Sequence, residues 1–146
     1  MIKIFDNEKI LSKKLAHEIL IKIKNKKKFV LGCPGGRSLK KTYYYLGILS
    51  HKYKISLDNL IIVMMDEYVI KRKNKFFLIN PNLHFSCVRF SKNVINKLLN
   101  YKKNKKNSLK DYNILFPSVE NPSNYDKIIK KLGGIDIFLL ASGSSD

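Results

Sequence analysis

The sequence is poor in the residues that build covalent or metal cross-links. Its 146 residues include two cysteines, Cys33 and Cys87, and three histidines, His17, His51 and His84. Two thiols are too few for a disulfide framework, and neither shares metal-ligand spacing with a histidine, which points to a reduced compartment and no metal site. No apolar run approaches the roughly 20 residues that a membrane helix requires. The opening MIKIFDNEKI carries Asp6 and no apolar stretch of signal-peptide length. The expectation is a cytoplasmic protein with no membrane association. Neither GxGxxG nor GxxxxGKS/T occurs, so the dinucleotide fingerprint and the nucleotide P-loop are both absent. No internal repeat and no Gly/Ser or Pro linker divides the chain, whose length suits a single domain over 1–146.

Acidic residues are scarce as well: 11 against 29 lysines and arginines, a net charge of +18. Such a balance invites polyanions, because lysines that neutralise phosphates release counterions. Arginine, the residue of base readout and stacking, is itself scarce. The runs KNKKK (24–28), KRKNK (71–75) and KKNKK (102–106) are almost all lysine with interspersed asparagine. Solvated surface is the plainer reading of each run, with weak non-specific polyanion binding as the alternative.

What is present is an alternation of short, continuous apolar runs with helix-period stretches, in a chain that is 45% hydrophobic. Asn7 can cap a helix whose apolar positions Ile10, Leu11, Leu15, Ile19, Leu20 and Ile23 recur at threes and fours. FVLG (29–32) reads as a buried strand. Ser38 can cap the next helix, in which Tyr43, Tyr44 and Tyr45 are expected to pack or to lie at an interface. LIIVMM (60–65) is a second buried strand and ends at Asp66. An irregular polar segment is expected up to about Pro81, then a helix from Ser91 through Leu99 and a weaker strand around Tyr112 to Phe116. Ser123 can cap a short helix closed by Gly133 and Gly134, and IDIFLLA (135–141) is the last strand. Strands apolar on both faces and separated by helices predict an α/β fold, a mostly parallel sheet with helices on both faces.

In a parallel sheet every loop that follows a strand lies on the carboxyl edge, where ligands of such folds bind. Three loops there stand out. GCPGGRS (32–38) lets the backbone approach a ligand closely and adds an arginine fork at a helix start, which makes either an anion cradle or a plain tight turn. Cys33 within it has no assignable base beside it and reads as a spectator thiol. MDEY (65–68) sets Asp66 and Glu67 directly after a buried strand. Asp66 is either a general base whose partial burial raises its pKa or the cap of the next turn. ASGSSD (141–146) again offers backbone donors and a carboxylate, Asp146.

The order GCPGGRS, VMMDEYV and GGIDIFLLASGSSD resembles the superfamily of glucosamine-6-phosphate deaminases/isomerases and 6-phosphogluconolactonases, from about Phe29 to the last residue. The resemblance implies a Rossmann-like fold, a small-molecule sugar phosphate as partner, and no cofactor or metal. It assigns Gly35, Gly36, Arg37 and Ser38 to the phosphate. Asp66 would be the base that moves a proton between C2 and C1 of an open-chain amino sugar. Asp146 would act in ring opening with the histidine that follows it in the family. Glu67, His84 and Ser86 become candidate substrate contacts, the last two from NLHFSCVRF (82–90). In the family the third motif runs on from its aspartate into Gly-His, whereas this sequence stops at Asp146. The resemblance therefore implies a partial domain, with loss of independent catalysis expected. DEYV is deaminase-like and GGRS leans towards the lactonases. The deaminase or isomerase side is favoured because Asp66 carries the chemistry, and a lactonase-like hydrolase is the alternative. From other classes, a basic polyanion-binding module and an inactive remnant with an exposed sheet edge compete, and homo-oligomers are compatible with each reading.

Overall fold

The first helix shows how local chemistry sets the boundaries in the computed structural model, which describes residues 2–141. Asn7 stays extended and its side-chain oxygen accepts the Ile10 N–H at 3.0 Å, so helix α1 (Glu8–Lys24) starts there. Glu8 sits in its first turn and Lys22 and Lys24 in its last, each complementing the helix dipole. Ala16, Ile19, Leu20 and Ile23 face the interior.

Strand β1 (Phe29–Cys33) is buried along its whole length and pairs in parallel with β2 (Leu60–Met64), Phe29 opposite Leu60 through Cys33 opposite Met64. Helix α2 (Lys40–Lys52) joins them and packs on α1. Two short strands complete the parallel sheet: β5 (Ile114–Leu115) beside β2 and β6 (Ile137–Phe138) beside β1, in the order β5-β2-β1-β6. The predicted α/β fold with a parallel sheet is what forms. Alternate residues Phe29, Leu31, Cys33, Leu60, Ile62 and Met64 join the helices in one apolar core. Val30 and Val63, which point to the other face by the pleat, are also buried. Asp136 fastens β6 at its start: one oxygen accepts the Val30 N–H at 2.8 Å and the other pairs with Lys26.

Four local expectations are corrected. The segment expected to be irregular up to Pro81 contains a hairpin, β3 (Val69–Arg72) and β4 (Lys75–Leu78), exposed throughout. Its two-residue turn, Lys73-Asn74, has φ of 44° and 62°, the left-handed pair that suits strand twist. Ser38 does not cap α2; the cap position is Leu39, with no side-chain bond. The helix placed at Ser91 begins earlier, as α3 (Cys87–Phe90) capped by Ser86, and continues through a π-helical stretch (Ser91–Asn96) into α4 (Lys97–Leu99). Asn121, not Ser123, caps α5 (Pro122–Leu132), because Pro122 then occupies the first helical position, where a missing N–H is harmless. Gly133 ends α5 in the left-handed region at φ 91°.

Helices α2 and α4 meet backbone to backbone at Gly47, where a β-carbon would overlap the Leu98 carbonyl oxygen. Gly47→Ala should cost about 3 kcal/mol, since only a shift of a whole helix relieves the overlap. Gly36→Ala should cost about 1 kcal/mol, because Gly36 has φ 93° but open space around it. Urea unfolding of the two variants measures the difference.

Candidate active site

The carboxyl ends of β1 and β2 open onto a cavity of about 620 Å³. The loop after β1 supplies Gly35, Gly36 and Arg37 to its wall, and the first turn of α2 adds Lys40. The loop after β2 supplies Asp66 and Tyr68; His84, Phe85, Cys87, Phe90 and Val94 close the remaining side. Gly35 is required by close approach: a β-carbon there would collide with the Cys87 sulfur and lie 3.6 Å from Asp66 Oδ1. The glycine turn and the carboxylate therefore face one another directly. The first turn of α2 carries no acidic side chain of its own and no side-chain cap, and Glu8 of α1 pairs with Lys41 there.

Asp66 lies exposed at the mouth of this cavity, so the partial burial expected of it is not found; it stands one residue past Met65, beyond the end of the covered strand. Its side chain accepts from Cys87, with Sγ 3.8 Å from Oδ1. Burial, together with the charges of Asp66 and Glu67, pushes the Cys87 thiol up to about 12. Cys87 is thus a neutral S–H donor towards Asp66 rather than a nucleophile. Cys33 is wholly buried behind the loop and pushed up to about 12 by burial. Among the described residues no group of three or more His, Cys, Asp or Glu side chains is placed to hold a metal ion.

Glu67 turns away from the cavity and clamps the chain. Its Oε1 accepts the N–H groups of Tyr68 at 2.8 Å and Cys87 at 3.0 Å; its Oε2 accepts the Ser86 hydroxyl at 2.7 Å and the Val88 N–H at 2.8 Å. Ser86 is fully buried and in turn accepts the Arg89 N–H at 3.2 Å. One carboxylate therefore ties the loop after β2 to the start of α3 and holds Asp66 against Cys87. Burial alone would raise the Glu67 pKa, but the bonds from Val88, Ser86, Cys87 and Tyr68 hold it below the usual carboxylate range.

Of the residues singled out from the sequence, Gly35, Gly36, Arg37, Asp66 and His84 line the cavity. Ser38 is exposed beside it, while Glu67 and Ser86 form the support behind it. Asp146, and the loop from Ser142 onward, lie outside the described residues. Lys40, Tyr68, Phe85 and Cys87 were not singled out. Lys40 had a signal in its position two residues past the glycine loop. Tyr68 and Phe85 meet edge to face at 5.3 Å between ring centres, a pairing 17 residues apart in sequence that no local pattern shows.

A parallel α/β sheet with a cavity at the carboxyl edge defines a Rossmann-like protein. No protein-family model matches the chain. It is 32% identical over 140 residues to a glucosamine-6-phosphate deaminase of Mycoplasma mycoides, covering 96% of this chain and 52% of that protein. It is 34% identical over 130 residues to a glucosamine-6-phosphate deaminase of Bacteroides thetaiotaomicron, covering 85% and 44% respectively. The fold matches that of a monomeric glucosamine-6-phosphate deaminase of the NagB superfamily, with a TM-score of 0.72 and 23% identity, over 95% of this chain and 54% of that one. These matches support the glucosamine-6-phosphate deaminase and isomerase superfamily for this chain, which spans about half the length of the relatives it matches.

Replacing Glu67 by Ala should destabilise the fold by about 2 kcal/mol, since it strands the buried Ser86 hydroxyl and three N–H donors. The Glu67 contribution is complete above the ordinary carboxylate pKa and is lost as pH falls through the depressed folded value. Urea unfolding at neutral and at strongly acidic pH should therefore show the gap between wild type and variant closing in acid.

Proposed function

We propose that residues 1–146 form part of a glucosamine-6-phosphate deaminase/isomerase domain, carrying the phosphate loop and the proton-transfer base of amino-sugar phosphate metabolism. The observation that carries this reading is the convergence of Gly35, Gly36, Arg37, Lys40 and Asp66 on one cavity. A sugar phosphate can place its dianion against the glycine turn, where Arg37 and Lys40 supply charge and the amino end of α2 supplies dipole. Its far end then reaches Asp66. The carboxylate takes the proton from C2 of the open-chain amino sugar and returns it at C1, leaving an imine at C2 that takes up water and releases ammonia. His84 and Phe85 form the wall beside the sugar, with Ser38 a further candidate contact at the phosphate. Asp146 retains its proposed part in ring opening. The deaminase relatives favour this chemistry over a lactonase-like hydrolysis.

Among the described residues no helix is long and apolar enough to cross a membrane. The two free cysteines fit a reduced, cytoplasmic setting.

Because the chain spans about half of its relatives, ligand binding tests the reading separately from turnover. Titration calorimetry with glucosamine 6-phosphate should show binding that Arg37→Ala weakens by about tenfold, the usual scale for a charged hydrogen bond. Asp66→Asn should leave binding within about twofold and abolish any exchange of the C2 proton with solvent, because it keeps the shape and removes the base. Equal affinity of the Arg37 variant and the wild type would contradict the assignment of the phosphate loop.

A further inference from the structure

The lysine runs are not spread evenly over the surface. Each loop that precedes a parallel strand lies on the amino edge of the sheet, opposite the cavity, and three of them are basic: 24–28 before β1, 52–54 before β2 and 102–106 before β5. There they line a groove of two adjoining hollows, about 480 Å³ and about 460 Å³, that share Lys54 and Ile55. Lys24, Lys27, Lys52, Lys54, Lys102 and Lys103 form its walls, and Asp58 is the one carboxylate among the lining residues. None of the six lysines reaches a carboxylate within ion-pair distance among the described residues. The remaining lysine run, 71–75, sits apart on the exposed β3–β4 hairpin. The five residues of β1 separate groove from cavity by about 16 Å.

Two of these lysines hold a backbone conformation that favours glycine or asparagine. Lys54 (φ 53°) directly follows the C-cap of α2, where helices commonly turn left-handed, and Lys102 (φ 50°) stands three residues past the end of α4. Beside each stands an exposed aromatic ring. The Lys52 ammonium lies 5.7 Å from the centre of the Tyr53 ring and that of Lys102 5.4 Å from the Tyr101 ring. Tyr53 is 47% and Tyr101 40% exposed. Lysines that track a phosphodiester backbone, flanked by aromatic faces on which bases stack, are the elements of a single-strand binding groove.

We infer that the amino-edge groove, with Tyr53 in its wall and Tyr101 next to its Lys102, binds single-stranded nucleic acid, at a site separate from the sugar-phosphate cavity. The inference does not rest on the enzymatic reading. Lys103 forms the fixed part of the groove, its ammonium donating to the Ile55 carbonyl at 2.6 Å, while the other five make no ion pair among the described residues. Aromatic flanks set this ligand apart from inorganic polyphosphate, which has nothing to stack.

Fluorescence anisotropy with a labelled single-stranded oligonucleotide of about 12 nucleotides, enough to cross the groove, provides the test. If about four phosphates are neutralised, affinity should fall about 50-fold between about 50 mM and about 200 mM salt. The double variant Lys54→Gly, Lys102→Gly should bind about tenfold more weakly at low salt and with a shallower salt dependence. Its melting temperature should hold or rise, since glycine occupies the left-handed region freely. Lys71→Gln, Lys73→Gln and Lys75→Gln on the hairpin remove more charge and should change affinity by less than about twofold. Three results would each overturn the inference: no binding at low salt, equal loss in the hairpin variant, or displacement of the oligonucleotide by polyphosphate at the same phosphate concentration.

Discussion

Five residue pairs, Phe29 with Leu60 through Cys33 with Met64, are the constraint on which everything else hangs. Because the pairing is parallel, both strands end on the same edge, and the glycine turn after Cys33 must face the acidic turn after Met64. Because the strands are covered on both faces, a shift of one residue in register would exchange core side chains for those of the other face. The register is therefore fixed by burial, and with it the distance between the Gly35 turn and Asp66. Had these strands been antiparallel, the two loops would lie at opposite ends of the sheet and no single cavity could draw on both.

Around that pair the molecule uses polar locks where short strands bring few apolar contacts. Strands β5 and β6 are two residues each and cannot hold themselves by area. Asp136 supplies the lock for β6, gripping Val30 and Lys26. The Tyr125 hydroxyl supplies one for α5, 2.8 Å from the Met64 carbonyl and 3.0 Å from that of Leu115, at the carboxyl ends of β2 and β5. Glu67 completes the set by joining the loop after β2 to α3. Three locks of the same kind, each a polar side chain on main-chain groups, bind the periphery to a core that the apolar residues define.

What the sequence made legible follows the same division. Buried strands announce themselves as continuous apolar runs, so β1 and β2 and the edge their loops share could be read directly, and Gly35, Gly36, Arg37 and Asp66 with them. Exposed elements were harder. The β3–β4 hairpin buries neither face, so Phe76 and Phe77 among lysines give no alternation to read. The start of α3 was missed because its cap, Ser86, is completed by Glu67 from 19 residues earlier, a tertiary bond invisible in a local window. Ser38 was over-read for the opposite reason: a good capping residue stands one position too early, and Leu39 takes the cap instead. For Glu67 the resemblance implies a substrate contact. In the fold, the Ser86 hydroxyl and the N–H groups of Cys87 and Val88 draw its carboxylate to the helix start.

The central claim is that the loops after β1 and β2 make one anion-binding, base-bearing site. Amide chemical-shift mapping during titration with glucosamine 6-phosphate tests it most directly. The account predicts shifts confined to Gly35 through Lys40, Asp66 through Tyr68 and His84 through Cys87, saturating together. Shifts that fall instead on the lysine-lined amino edge, or no shifts at millimolar ligand, would contradict it.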